Sequence, residues 1–275
     1  MNDLLNNPAV QAGIAPFAVA LIVCALLRRS RFLGLAIGAG FVTVVALALG
    51  FSFEALTSVR KMVLVGLAAT ALVIPLELGP SARAAMWARA ALALAAGLAS
   101  VWMVLRILQQ QETGPALVAG MAAAVYMAAL VGSTASISSD PLRAAASALM
   151  LGLGGGALAL LGASASLAQV GIAIGAGAGA ALLVQMIAGR RAPVGWTLSL
   201  PASVVAGLIG LLAVFTGALH WYCLLPTLAI PWATRLIPAG DRPVWLISIL
   251  SALAAMIPML LAVALAWVTG ATSAT

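Results

Sequence analysis

The chain has 275 residues, of which 64% are hydrophobic and 7% charged, with a formal charge of +7. A water-soluble domain of that composition would have almost no polar surface to show to solvent, and a transmembrane barrel would alternate in strands of about 10 residues instead of running apolar on every side. The excess of positive charge does not indicate nucleic acid, because the basic residues are dispersed along the chain and form no single patch.

About 20 apolar residues cross a hydrocarbon core as a helix, which satisfies its own backbone hydrogen bonds there. The charges fall in the gaps between ten such runs or near the run ends: 10–27, 32–51, 62–78, 84–108, 115–131, 141–162, 167–188, 194–218, 219–236 and 244–269. The expectation is an all-α polytopic membrane protein of about ten transmembrane helices, forming one integral membrane domain over 1–275. No cleavable signal peptide is expected, because Met1 to Gln11 lacks a basic segment and the arginines follow the first run. Cys24 and Cys223 fall near opposite membrane faces, roughly 20 Å apart at 1.5 Å rise per residue. A disulfide needs Cα atoms within about 7 Å, so both are read as buried free thiols.

After the second run, the segment from Phe51 through Phe53, Glu54, Leu56, Val59, Arg60 and Lys61 reads as a short amphipathic surface helix. Its functional alternative is an outer gate or a contact for an anionic ligand. Between the fifth and sixth runs, Gly132 to Ser139 reads as a turn that caps the next helix, with an entrance lined by hydroxyls as the alternative. Pro115, Pro141, Pro193 and Pro243 mark helix starts, and Asp140 is the N-cap candidate before Pro141. Pro16, Pro75, Pro201, Pro226, Pro231 and Pro258 lie within runs, where each frees a carbonyl and kinks its helix.

Alternate gaps carry unequal charge. Arg28, Arg29, Arg31, Arg83, Arg89, Arg143, Arg190, Arg191, Arg235 and Arg242 fall on one side, against Arg60, Lys61 and Arg106 on the other. The positive-inside rule then puts both termini in the periplasm of a bacterial inner membrane, an origin that the excess of arginine over lysine and the abundant alanine suggest.

The chain also reads as duplicated at an offset near 158 residues. Gln11 to Ala15 matches Gln169 to Ala173, and Arg28-Arg29 matches Arg190-Arg191. Leu72 to Pro75 matches Leu228 to Pro231, and Trp87 matches Trp245. The expected plan is a parallel 4+2+4 repeat, with unit one over about 8–110, linking helices over about 113–163 and unit two over about 165–270. Parallel repeats of this kind occur among transporters. Gly171, Gly175 and Gly179 form a close-approach stripe, read as intramolecular packing with a homo-oligomer interface as the alternative.

Chemistry is sparse. Every carboxylate is expected at a run end or in a loop, and His220, the lone histidine, is expected at an interface. No catalytic, cofactor or metal site is therefore assigned, and no nucleic acid is expected; membrane lipids, and other membrane subunits as an alternative, are the expected partners. Candidate substrate-binding residues are Glu54, Arg60 and Lys61 in the outer loop, Gln11 and Gln169 near the outer leaflet, and Pro75 and Pro231 near the inner one. Tyr126 is a candidate wall residue in the linking helices.

These features favour a transporter or permeation protein for a small neutral or amphipathic solute, and not an enzyme. The alternative is a non-catalytic scaffold subunit of a larger complex, and a membrane-embedded enzyme acting on lipid comes third. A solute path between the two units would support transport. A solidly packed seam there, with no polar cavity, would raise the scaffold above it.

Overall fold

The computed structural model describes residues 7–52, 54–78, 82–162, 164–192, 196–217, 219–238 and 242–272. Asp3, Phe53, Pro193 and Asp241 lie outside them, as does the side chain of Arg83. The described residues are helical and turn segments with no strand. In chain order the helices are α1 (Val10–Leu27), α2 (Leu35–Leu49), α3 (Ser58–Glu77), α4 (Ala82–Leu108) and α5 (Thr113–Ala135). They continue with α6 (Pro141–Leu161), α7 (Ala165–Ala188), α8 (Trp196–Phe215), α9 (Leu225–Arg235) and α10 (Val244–Thr272). A single 3₁₀ turn, Trp221–Leu224, leads into α9.

Eight of these helices are long and apolar enough to cross a membrane. The other two expected spans, α2 and α9, are helical but short. The 11 residues of α9 rise roughly 16 Å. The chain is thus an all-helical, multi-pass membrane protein with eight helices of spanning length.

Local chemistry explains several helix ends. Asp140 caps α6 as expected, its carboxylate accepting from Leu142 N at 3.2 Å and Arg143 N at 3.4 Å. Pro16 is accommodated by a π turn over Val10–Ile14, in which Ala15 N–H reaches Val10 O five residues back. A second π turn closes α2, where Gly50 N–H bonds Val45 O at 2.7 Å with φ at +71°, a conformation that favours glycine. Pro226 does not kink a helix: it occupies the first turn of α9, where its missing N–H costs nothing. Residues 50–52 and 54–57 form bends and irregular backbone, so the expected amphipathic surface helix is absent among the described residues, and Arg60 and Lys61 belong to the first turn of α3.

α8 is the centre of the molecule. Every residue from Thr197 to Ala213 is buried, enclosed by α3, α5, α6 and α7 with lighter contacts to α2 and α4. Its residues are almost entirely aliphatic or small, as a helix with no polar surroundings requires. The closest pairing is α6 with α7, where Gly152 and Gly156 face Gly171 and Gly175. A Cβ on Gly152 would sit 2.8 Å from Gly175 Cα, and one on Gly171 would sit 2.9 Å from Gly152 O. Gly171 and Gly175 are therefore buried within one chain, in keeping with the intramolecular reading of that stripe.

The two proposed four-helix units differ in their internal packing. α1 lies along α2, whereas α7 and α8 touch more lightly; α9 lies along α10, whereas α3 and α4 touch lightly. The units meet along α2–α7, α1–α7 and α3–α8. Glycines close that seam. A Cβ on Gly40 would stand 3.1 Å from Ala173 O, and one on Gly177 would stand 2.8 Å from Ile37 Cα.

Candidate functional site

Helix direction gives the bundle an arginine-rich end, where α1, α3, α5, α7 and α9 terminate, and an opposite end. At the opposite end, α5, the close of α8 and the start of α9 diverge around a groove of about 1070 Å³. Two local causes keep it open. α5 presents alanines to it, among them Ala119, Ala122 and Ala129, and α8 stops at Phe215, where Gly217 turns the chain away with φ at +76°. The rim is apolar and exposed at Val118, Val125, Trp221 and Leu225, the kind of surface that hydrocarbon covers.

Two polar side chains, Tyr126 and Gln111, interrupt the apolar wall. The Tyr126 hydroxyl lies 2.9 Å from Thr227 Oγ1, and Thr227 Oγ1 donates to Leu224 O at 2.6 Å. The single Thr227 proton is committed to that carbonyl, so Tyr126 is the donor to Thr227. The Tyr126 oxygen then retains acceptor lone pairs. The site can hold an apolar body and accept one hydrogen bond from its polar head. A second apolar groove of about 500 Å³ runs between α4 and α5 at the same end.

The remaining candidates from the sequence do not converge there. Gln11 and Gln169 are both half-buried at the opposite end, on helices α1 and α7 that pack together. Pro75 is exposed on the last turn of α3, while Pro231 is buried inside α9, so the two prolines do not flank one path. Glu54 is exposed. Arg60 Nη1 donates to Ala55 O at 2.9 Å, which folds it back on its own loop.

Lys61, a candidate for ligand contact in the outer loop, is buried instead. It is 7% exposed, donates to Trp102 O at 2.9 Å and lies 4.9 Å from the centre of the Trp102 ring. Ser58 Oγ donates to Met103 O at 3.1 Å beside it. These two bonds pin the start of α3 to α4, helices that otherwise touch lightly. A hydrogen bond from a charged group contributes about 1.5–3 kcal/mol, and a desolvated cation–π contact up to about 2. Lys61→Ala should therefore lower the melting temperature by several degrees, while Arg60→Ala leaves it within a degree. Thermal unfolding of both variants in detergent checks this, and equal melting for the two would remove Lys61 as a clamp.

Glu77 is a second departure. It lies at a helix end as expected, yet its side chain is 5% exposed, buried against the first turn of α8. The backbone N–H groups of Trp196 and Thr197 face the carboxylate, as does the Arg31 guanidinium. Neither oxygen reaches hydrogen-bonding geometry among the described residues. The positive end of the α8 dipole is the physical reason a carboxylate is tolerated there. The run Gly132 to Ser139 holds no entrance: Ser133, Thr134 and Ser138 turn their hydroxyls onto backbone carbonyls at 2.8–3.0 Å. His220 is exposed and stacks on Tyr222 at 5.3 Å. Cys24 and Cys223 are both free and buried.

Among the described residues, no group of three or more His, Cys, Asp or Glu side chains is placed to hold a metal ion. No protein-family model matches the chain, and comparison with curated proteins and with solved structures found no match.

Proposed function

We propose that this chain is a multi-pass membrane protein that takes up a neutral, amphipathic molecule sideways from the bilayer into the groove between α5, α8 and α9. The observation that carries this reading is the apolar groove of about 1070 Å³ with Tyr126 in its wall, hydrogen-bonded to Thr227 behind it. The volume suits a drug-sized or single-chain amphiphile, and Tyr126 offers an acceptor to its hydroxyl or amide. Lipid molecules are the nearest source of such a chemistry. The reading includes ten spans, a 4+2+4 repeat, a bacterial inner membrane and periplasmic termini, supported by the charge asymmetry, the repeated segments and the arginine- and alanine-rich composition. It assigns no catalytic step.

The close-packed seam between the units favours a second reading. Gly40 and Gly177 bring α2 and α7 into contact where a solute path was expected. On the criterion set by the sequence, a non-catalytic scaffold now stands ahead of permeation along that seam. Purification in mild detergent followed by native mass spectrometry separates the two. A self-contained particle carrying a small amphiphile, held about fivefold more weakly by Tyr126→Phe, is expected for the groove; one lost hydrogen bond of about 1 kcal/mol sets that factor. Stoichiometric partner chains with no bound amphiphile would favour the scaffold.

A further inference from the structure

We infer that the paired arginines at the ends of α1 and α7 form a single binding site for a phosphate group. The site is separate from the groove and lies at the other end of the bundle. Arg28 and Arg29 follow α1, Arg190 and Arg191 follow α7, and all four line one cavity of about 60 Å³. At about 10–15 Å³ of such space per water, it holds a few waters or one small tetrahedral anion.

The backbone is arranged to bring the two pairs together. Gly189 ends α7 in the left-handed conformation, φ +62°, so the chain turns back over the end of its own helix. Gln185, 2% exposed, accepts from Ala192 N at 3.0 Å and donates to Ala181 O at 3.2 Å. That side chain fastens the loop carrying Arg190 and Arg191 to α7. On the other side, Ser30 accepts from Phe32 N at 3.1 Å and donates to Leu27 O at 3.1 Å, which shapes the turn bearing Arg28 and Arg29. Arg190 Nη2 then crosses between the loops to Arg28 O at 3.0 Å.

Charge makes the ligand class specific. Four arginines line the cavity, all of them exposed, and no described carboxylate balances them. Asp140 pairs with Arg143 at 3.4 Å, Glu77 faces Arg31, and Glu54 and Glu112 lie at the opposite end. Mutual repulsion of like charges is relieved by an anion, and guanidinium forks match phosphate oxygens in bidentate pairs. Basic pockets between transmembrane helices take phospholipid headgroups in the same way. The bound chemistry is a phosphate, carried either by an anionic lipid or by a free ion.

The full chain, purified in neutral detergent and placed in nanodiscs of phosphatidylcholine with or without phosphatidylglycerol, tests this. Native mass spectrometry should show one phosphatidylglycerol retained per chain. Arg28→Gln with Arg29→Gln should weaken retention at least tenfold, and so should Arg190→Gln with Arg191→Gln. The first pair preserves both loop contacts of Gln185, so lost binding there is not lost folding; melting curves verify that. Arg106→Gln, at the opposite end, should change nothing. Inorganic phosphate is titrated into the phosphatidylcholine sample alone. A rise in melting temperature that disappears in both double variants assigns the site to free phosphate; retention of the lipid without that rise assigns it to a headgroup. Equal retention of phosphatidylglycerol by wild type and both double variants, with no response to phosphate, would overturn the site.

Discussion

Gly171→Val should lower the melting temperature by roughly 6–12 °C. Gly171 lies where α6 and α7 touch backbone to backbone, and even a Cβ there would come within 2.9 Å of Gly152 O, with other backbone atoms of Gly156 closer still. Those atoms cannot rotate away as a side chain could, so the two helices must separate. Overpacking of this kind costs about 1–3 kcal/mol, and the rigid backbone puts it at the upper end. Each kcal/mol corresponds to about 2–4 °C for a chain of this size class. Gly179→Ala is the matched comparison. Its nearest neighbour is Leu149 Cδ1 at 3.5 Å, an ordinary contact, and alanine favours the helix by about 1 kcal/mol. Circular dichroism at 222 nm during heating reads both variants. A Gly171→Val protein that melts with the wild type, but changes its oligomeric state, would move the glycine stripe from the α6–α7 seam to an intermolecular interface.

Filling the groove should abolish the bound amphiphile while leaving the fold intact. Ala122 and Ala129 lie seven residues apart on one face of α5, both line the groove and both are exposed. Phenylalanine at both positions places two rings in the volume that the ligand requires and disturbs no buried neighbour. The amount of amphiphile retained through purification should fall more than tenfold, the equivalent of at least about 1.4 kcal/mol. The melting temperature should stay within about 2 °C, because surface substitutions away from special features stay within about 0.5 kcal/mol. Undiminished retention in the double variant would place the ligand elsewhere, and the α4–α5 groove would be the next position to fill. The effect is distinct from that of the arginine variants, which act at the other end of the bundle on a phosphate probe.

Hydropathy and punctuation alone determined the class and most helix positions. Hydrocarbon imposes a near-uniform length and requires every backbone group to bond within its helix, so apolar runs convert directly into helices. Runs 10–27 and 141–162 coincide with α1 and α6 to within a residue, the second because Asp140 and Pro141 carry their own capping chemistry. Where local chemistry was weaker, the bounds moved: the expected helix over 51–61 is bends followed by the first turn of α3, and α9 is shorter than its apolar run because Pro226 starts it late.

Contacts between distant segments were decided by the tertiary structure. A run that is apolar on every side gives no direction for its neighbours, so nothing local marked α8 as the buried centre or closed the seam at Gly40 and Gly177. The burial of Lys61 was not legible because its partner, Trp102, stands 41 residues away; that of Glu77, expected at a run end, was not legible because the α8 N-terminus that faces it lies more than a hundred residues on. Tyr126 and Thr227 were each visible as a polar residue in an apolar run, yet a hydroxyl within a helix carries no sign of its partner across 101 residues. The same holds for the two arginine pairs. Their repetition is written in the sequence, but their convergence on one cavity depends on α1 packing beside α7, a matter of helix surfaces that fit together rather than of hydropathy.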